Sequence, residues 1–316
     1  MLVAPDKFKG TMSAAEVAAA IATGLRDGGR SAEELPIADG GEGTADALLR
    51  ALGGEWRTAE ATDALGRPVE ARYAMLADGR AVVEAAEASG LWRIEERERD
   101  AWAASSRGTG ELIAAAIEAG AETVIVAVGG VATTDGGAGA LEALADAGAK
   151  PALIVVCDVR TPWERAAAVY APQKGADPDT VKRLARRMAR QAAALPRDPR
   201  GVPMTGAAGG LAGGLWAGAG AKLVPGAPFV LDVLGFDARM RRAAFVVTGE
   251  GTIDEQTLEG KAAGEVAVRC RQAGVACHAI VGRDRLDDFS VRVLALDSLS
   301  EAGDPSALAD AARRLA

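Results

Sequence analysis

The chain has 316 residues, 49% of them hydrophobic and 25% charged, with a formal net charge of −8. This length supports a large core and favours two domains over one, and the composition excludes a disordered chain. The acidic balance repels polyanions and argues against nucleic acid as a partner, while a local basic patch can still hold a small phosphate.

No run is apolar enough to span a bilayer, and Met1 leads straight into LVAPDKFKG without a leader-like segment, so a cytoplasmic protein with no membrane role is expected. The three cysteines, Cys157, Cys270 and Cys277, lack metal-ligand spacing and are expected as buried thiols. The single histidine, His278, lies in the strand-like run VACHAIV. Histidine-centred triads are thereby set aside, leaving carboxylates or lysines as the candidate bases.

In chain order, Leu2 to Ala4 begins a strand, and a helix over about Ser13 to Leu25 is opened by the capping-box pair Ser13 and Glu16. Asp6, Lys7 and Lys9 then sit at the carboxyl end of the first strand, where open α/β sheets place ligands, with a solvated loop as the alternative. ELPIADGGEGTADALLRAL reads as strand, glycine-rich turn and helix. Gly40, Gly41 and Gly43 let an anion approach the backbone, and Asp39 or Glu42 offers oxygen to magnesium. From Glu55 to Ala86 the pattern turns to period two, predicting a small antiparallel meander, and the break near Gly53–Gly54 suggests a domain boundary. Ser106, Arg107, Gly108 and Gly110 precede a helix and serve either an anion at its positive end or a helix cap.

The strand Thr123 to Val128 leads into GGVATTDGGAG, where Gly129, Gly130, Thr133, Thr134, Asp135, Gly136 and Gly137 combine flexibility, donors and a carboxylate ahead of a helix. After strand LIVVC and Asp158, a helix opens at Thr161, Pro162 and Glu164, and Lys174 follows in a loop. The arginine-rich helix from about Pro178 to Leu195 is expected to turn its arginines to solvent, and GAAGGLAGG to serve close packing. Phe229 to Met240 reads as one helix. AFVVTGEGTIDEQTLEGK, Ala244 to Lys261, is a strand with a glycine-bounded acidic turn. It suits either an ordinary loop or a phosphate-handling turn in which Glu250 and Asp254 hold a cation and Lys261 meets phosphate oxygens. A helix, the strand VACHAIVG, a short strand RVLAL and a closing helix at Asp304 and Pro305 complete the chain.

There is no GxxxxGK[ST], no kinase HRD or DFG set and no GxGxxG after the first strand. Taken together, APDKFKG, ADGGEGT, SSRGTGELI, GGVATTDGGAG, CDV, PQKGA, GAAGGLAGG and TGEGTIDEQTLEGK resemble, in order and spacing along nearly the whole chain, the type I glycerate kinase family. The resemblance implies an α/β fold of two α/β domains with the active site between them. One is a discontinuous open-sheet domain from both chain ends, residues 1–57 and 238–316, and the other an inserted flavodoxin-like domain, residues 58–237.

It also implies ATP-dependent phosphorylation of D-glycerate with magnesium, giving 2-phosphoglycerate, or 3-phosphoglycerate from a slightly different pose. In-line transfer would use Asp39 or Asp135 as base, with Lys7 and Lys261 on the transferred group. Gly40, Gly41, Gly129, Gly130, Thr133, Gly136, Gly249, Glu250 and Lys174 would meet the nucleotide, Lys9, Arg107 and Lys174 the acid, and Glu250 and Asp254 the magnesium. The partner is a small molecule, and a homodimer is left open. Against the family pattern, only Ala149 to Ala152 stand where a longer segment is common before strand LIVVC, and Thr134 and Thr161 replace a frequent asparagine. A sugar-acid-binding regulator with lost turnover is the rival reading. A nicotinamide-dependent oxidoreductase lacks its fingerprint.

Overall fold

The computed structural model describes residues 1–150, 152–258 and 260–316. Pro151, inside the shortened connection, and Glu259, inside TGEGTIDEQTLEGK, lie outside the described residues. Eleven strands are described: β1 (Leu2–Pro5), β2 (Glu33–Glu34), β3 (Gly54–Thr62), β4 (Pro68–Leu76), β5 (Arg80–Glu84), β6 (Thr123–Ala127), β7 (Ala152–Cys157), β8 (Lys222–Pro225), β9 (Phe245–Gly249), β10 (Ala276–Val281) and β11 (Ser298–Glu301). They form two sheets in two compact units, one of residues 1–39 and 226–316 and the other of residues 40–225. No described helix is long and apolar enough to cross a membrane.

The discontinuous unit carries a five-stranded sheet in the order β11-β10-β9-β1-β2 with every pairing parallel. Counted within the unit, that is the order 2-1-3-4-5, which reverses between β1 and β9. This is the flavodoxin-like arrangement, and its reversal point is where open α/β sheets bind ligands. The inserted unit was expected to be the flavodoxin-like one, and its sheet corrects that expectation. Its strands run β3-β4-β5-β6-β7-β8 in chain order without reversal, and β3, β4 and β5 pair antiparallel at one edge. The alternating segment thus extends a parallel sheet rather than standing apart from it.

The units divide after Asp39 and at Gly226, earlier in the chain than the expected breaks at 57 and 238. The reason for the first difference is local. The helix Thr44–Leu52 is tied to the inserted sheet at its start, because Glu84 at the end of β5 accepts from Gly43 N at 2.9 Å and Ala45 N at 2.8 Å. A carboxylate on these otherwise unpaired N–H groups caps the helix and complements its dipole.

Capping and patterning explain most elements. Ser13 and Glu16 form the expected capping box for the helix Ala14–Asp27, whose Val17, Ile21 and Leu25 are buried at helical spacing beside Val3, Val247, Ile280 and Leu308. Gly24 on that helix faces the helix Pro305–Arg313 so closely that a Cβ would fall 1.9 Å from Ala309 O. The inserted unit buries Val83, Leu112, Val124, Val126, Val155, Leu211 and Leu215 in one cluster. A second cluster surrounds Trp163, Leu184 and Met188. Each fully buried aliphatic side chain contributes about 1.5–3 kcal/mol.

Two expected elements differ. RVLAL is not a strand: it belongs largely to the helix Asp288–Leu294, opened by Asp287, whose side chain accepts from Ser290 N at 2.7 Å. The strand lies just beyond, where Ser298 pairs with His278 and their side chains hydrogen-bond at 2.8 Å. Phe229 to Met240 divides into the helices Gly226–Val233 and Phe236–Met240, because Gly235 adopts φ 64° between them. All three cysteines are free and buried, as expected.

Candidate active site

In the discontinuous unit the sheet reversal brings two acidic turns together. Asp6 follows β1, Glu250 follows β9, and Asp6 N donates to Gly249 O at 2.8 Å, continuing the β1–β9 pairing beyond the strands. Gly249 packs edge-on to β10, where a Cβ would lie 2.1 Å from Ile280 O, so only glycine fits. Asp6 and Glu250 are buried and both feel Asp39. Burial pushes Asp6 up to about 8, reinforced by the negative charge of Asp39 and partly offset by Lys7. Burial likewise pushes Glu250 up to about 7, against the opposing Thr257 hydrogen bond and Lys261 charge. Three carboxylates therefore share one end of the sheet, and low dielectric and like charge raise the proton affinity of Asp6 and Glu250.

The turn after Glu250 is held by its own side chains. Thr257 Oγ1 donates to Glu250 Oε1 at 2.7 Å and accepts from Asp254 N at 3.2 Å. Lys261, which precedes the helix Ala262–Ala273, lies 3.5 Å from Asp254 Oδ1. Lys7 donates its backbone N–H to Asp6 Oδ1 at 2.7 Å, and Lys9 is exposed. Asp39, Lys7, Lys9, Gly249, Glu250, Asp254 and Lys261 all belong to this unit. Among the described residues no group of three or more His, Cys, Asp or Glu side chains is placed to hold a metal by itself. Magnesium bound with nucleotide phosphates needs only one or two carboxylates, and a cation beside Glu250 and its acidic neighbours would offset the burial cost and the lesser repulsion that raise it.

The inserted unit holds the other candidates. Gly41 and Gly129 approach backbone to backbone at the carboxyl end of β6, where a Cβ on Gly129 would lie 2.7 Å from Gly41 Cα. Gly129→Ala is therefore expected to lower unfolding stability by about 1–3 kcal/mol in a denaturant titration, since neither backbone can yield as a side chain would. Gly130 and Gly136 adopt φ 74° and 67°, and Gly40 adopts φ 95°. Asp135 has both carboxylate oxygens occupied: Oδ2 accepts from Ser106 N and Oγ at 2.8 Å each and Gly139 N at 3.2 Å, and Oδ1 from Gly137 N at 3.1 Å. That pattern joins the turn after β6 to the starts of two helices, Arg107–Glu118 and Ala138–Asp146. Arg107 pairs with Glu111 at 3.1 Å and Asp146 at 2.7 Å.

Lys174 is almost fully buried and donates to Thr133 O at 2.5 Å. Burial lowers its pKa to about 8, against the charges of Asp135 and Asp158. The expected solvent face of the arginine-rich helix Pro178–Ala194 needs correction. Arg187 and Gln191 turn toward the same loop, reaching Thr134 O and Asp135 O at 2.9 Å each. Their spacing of four residues, flanking the buried stripe Leu184, Met188 and Ala192, was the available signal. Glu84 carried none, since it closes an ordinary strand.

The sequence pattern of the glycerate kinase family matches residues 1–150 and 145–313. A protein of Halalkalibacterium halodurans named glycerate kinase is 36% identical over all of this chain and 97% of its own length. One of Escherichia coli named glycerate 2-kinase is 36% identical over 83% of this chain and 79% of its own. A crystal structure from Salmonella typhimurium LT2, provisionally assigned as glycerate kinase 2, superposes with a TM-score of 0.84 at 34% identity over 99% of this chain and 96% of that one. The two stretches of the family match overlap at residues 145–150, just before β7.

Proposed function

The chain belongs to the glycerate kinase family, a family of enzymes, and from that premise we propose that it transfers the γ-phosphoryl group of ATP to D-glycerate, giving 2-phosphoglycerate. The observation that carries this reading is the convergence of Asp6, Asp39 and Glu250 where the flavodoxin-like sheet reverses. Phosphoryl transfer asks little covalent chemistry of a protein. It asks for a proton acceptor near the attacking hydroxyl and positive charge around the transferred group. Asp39 takes the proton of the glycerate hydroxyl as its oxygen attacks the γ-phosphorus and the bond to the leaving ADP oxygen breaks. Lys7 and Lys261 meet the charge on the transferred group.

Glu250 and Asp254 would hold magnesium, which when bound supplies charge neutralisation between the β- and γ-phosphates. Lys9 and Arg107 are assigned to the acid. Lys174, with Thr133 and the glycines Gly40, Gly41, Gly129, Gly130 and Gly136, serves oxyanions of the acid and nucleotide. Asp135 is assigned a bracing role rather than that of the base, since its oxygens already accept four hydrogen bonds. The reading places the reaction in the cytoplasm, where ATP is supplied.

Lys174 gives the reading a pH signature. Its folded pKa of about 8 lies below the ordinary 10.5, so the cation is present below about 8 and lost as pH rises through it. The dissociation constant of its oxyanion ligand should climb up to about tenfold per pH unit above that point, as calorimetry would read. Stability runs the other way: the cost of burying the cation appears as pH falls from 10.5 to about 8 and is constant below. The function itself is tested by ADP formation with magnesium. Release dependent on D-glycerate and absent with L-glycerate is expected, and ADP release indifferent to both acids would overturn the assignment.

A further inference from the structure

Three consecutive carbonyl oxygens in the turn after β6 are each taken by a side chain from elsewhere in the inserted unit. Lys174 Nζ donates to Thr133 O at 2.5 Å, Arg187 Nη2 to Thr134 O at 2.9 Å and Gln191 Nε2 to Asp135 O at 2.9 Å. Arg187 is also fixed by Nη1 donating to Trp102 O at 2.8 Å, with its guanidinium 4.5 Å from the Trp102 ring. The arrangement turns one face of the strip 133–135 toward fixed donors.

The hydroxyls of the same strip are in the opposite condition. Thr133 Oγ1 and Thr134 Oγ1 are buried and have no hydrogen-bond partner among the described residues, although both residues are 0% exposed. A buried hydroxyl left unpaired costs about 1–3 kcal/mol, and native folds keep few such groups. Two in succession, on a strip whose carbonyls are held by three long side chains, make an unfavourable arrangement for stability alone. A carbonyl oxygen facing an anion repels it, whereas a hydroxyl can donate to it. Holding the carbonyls on donors while leaving the hydroxyls unpaired thus suits an oxyanion ligand.

We infer that the Thr133 and Thr134 hydroxyls receive an oxyanion of a substrate, and that Arg187 and Gln191 are positioning residues which, with Lys174, hold the carbonyls of residues 133–135 away from it. The identity of that oxyanion rests on the kinase reading: it is either the carboxylate of the acid or a phosphoryl oxygen of the nucleotide. Thr134 becomes a residue that sets the fit of this ligand.

The test uses Thr133→Val, Thr134→Val and Gln191→Met in the full chain, with Arg187→Lys as the conservative partner. Removing an unpaired hydroxyl should leave the melting temperature unchanged or raise it. If the hydroxyls face ligand, it should raise KM for either D-glycerate or ATP by at least about tenfold, the worth of one hydrogen bond to a charged group. The substrate whose KM moves identifies the oxyanion as carboxylate or phosphate. Gln191→Met should raise the same KM, and Arg187→Lys, which keeps one donor, should raise it less than Arg187→Met. KM values for both substrates within twofold of the parent in both valine variants would overturn the inference. So would a loss of kcat and affinity for both substrates that tracks a fall in melting temperature. If the parent protein shows no turnover, the kinase reading fails by itself. Titration calorimetry of D-glycerate and of ATP into the same variants then decides the inference by the same tenfold criterion, and a parent that binds neither overturns it.

Discussion

Asp39→Asn is expected to lower kcat by roughly two to four orders of magnitude, the usual contribution of a positioned general base, while leaving KM for ATP and D-glycerate within a few fold. The substitution keeps the shape of the side chain and removes its proton acceptor. It also removes a negative charge that both Asp6 and Glu250 feel. The repulsion among these carboxylates is thereby relieved. A loss of turnover without a loss of stability separates a chemical role from a structural one. Turnover within about threefold of the parent would remove Asp39 from proton transfer.

Asp135→Asn should give the reverse pattern. The four hydrogen bonds accepted by its carboxylate hold together Ser106, Gly137 and Gly139 at the starts of two helices. An amide keeps one acceptor oxygen and sets an NH2 group against backbone donors. Bonds to a charged group are worth about 1.5–3 kcal/mol each, and an unmet buried donor costs a further 1–3. Melting temperature is expected to fall by roughly 5–15 °C on the usual scaling for units of this size. Assayed below its own transition, the variant should retain much more activity than Asp39→Asn. A stable but inactive Asp135→Asn protein would return the base role to Asp135.

The glycine-rich turns were legible because their chemistry is local. A β-branched run followed by glycines and an acid signals a strand delivering a loop, and Glu250 and Asp135 stand at such places, while Asp6 directly ends a short apolar run. Strand order was not legible, since it depends on pairings such as Leu2 with Val246 that no local pattern encodes. For that reason the flavodoxin-like order was expected in the wrong unit. RVLAL misled because its valine and leucines fit either period over five residues, and the cap at Asp287 decides for helix. Arg187 was expected at the surface on composition. Its placement depends on the carbonyls of a turn fifty residues away, which only the folded chain brings within reach.

The connection before β7 was expected to be shorter than the family pattern. The match to the Halalkalibacterium halodurans protein spans 369 aligned positions against the 316 residues of this chain, so dozens of that protein's positions have no counterpart here. The strand pairings on both sides of β7 are nevertheless complete, from Thr123↔Ala152 to Cys157↔Pro225. The sheet therefore runs without interruption through β7, and Asp158 follows directly at its carboxyl edge.

Phosphoryl passage from ATP to glycerate is the reaction proposed for this chain. It is tested most directly by phosphorus NMR of a reaction containing the purified chain, ATP, magnesium and D-glycerate. A new phosphomonoester resonance that matches authentic 2-phosphoglycerate and grows in step with ADP is expected. Inorganic phosphate as the sole product, or an unchanged ATP spectrum while calorimetry records bound glycerate, would contradict it.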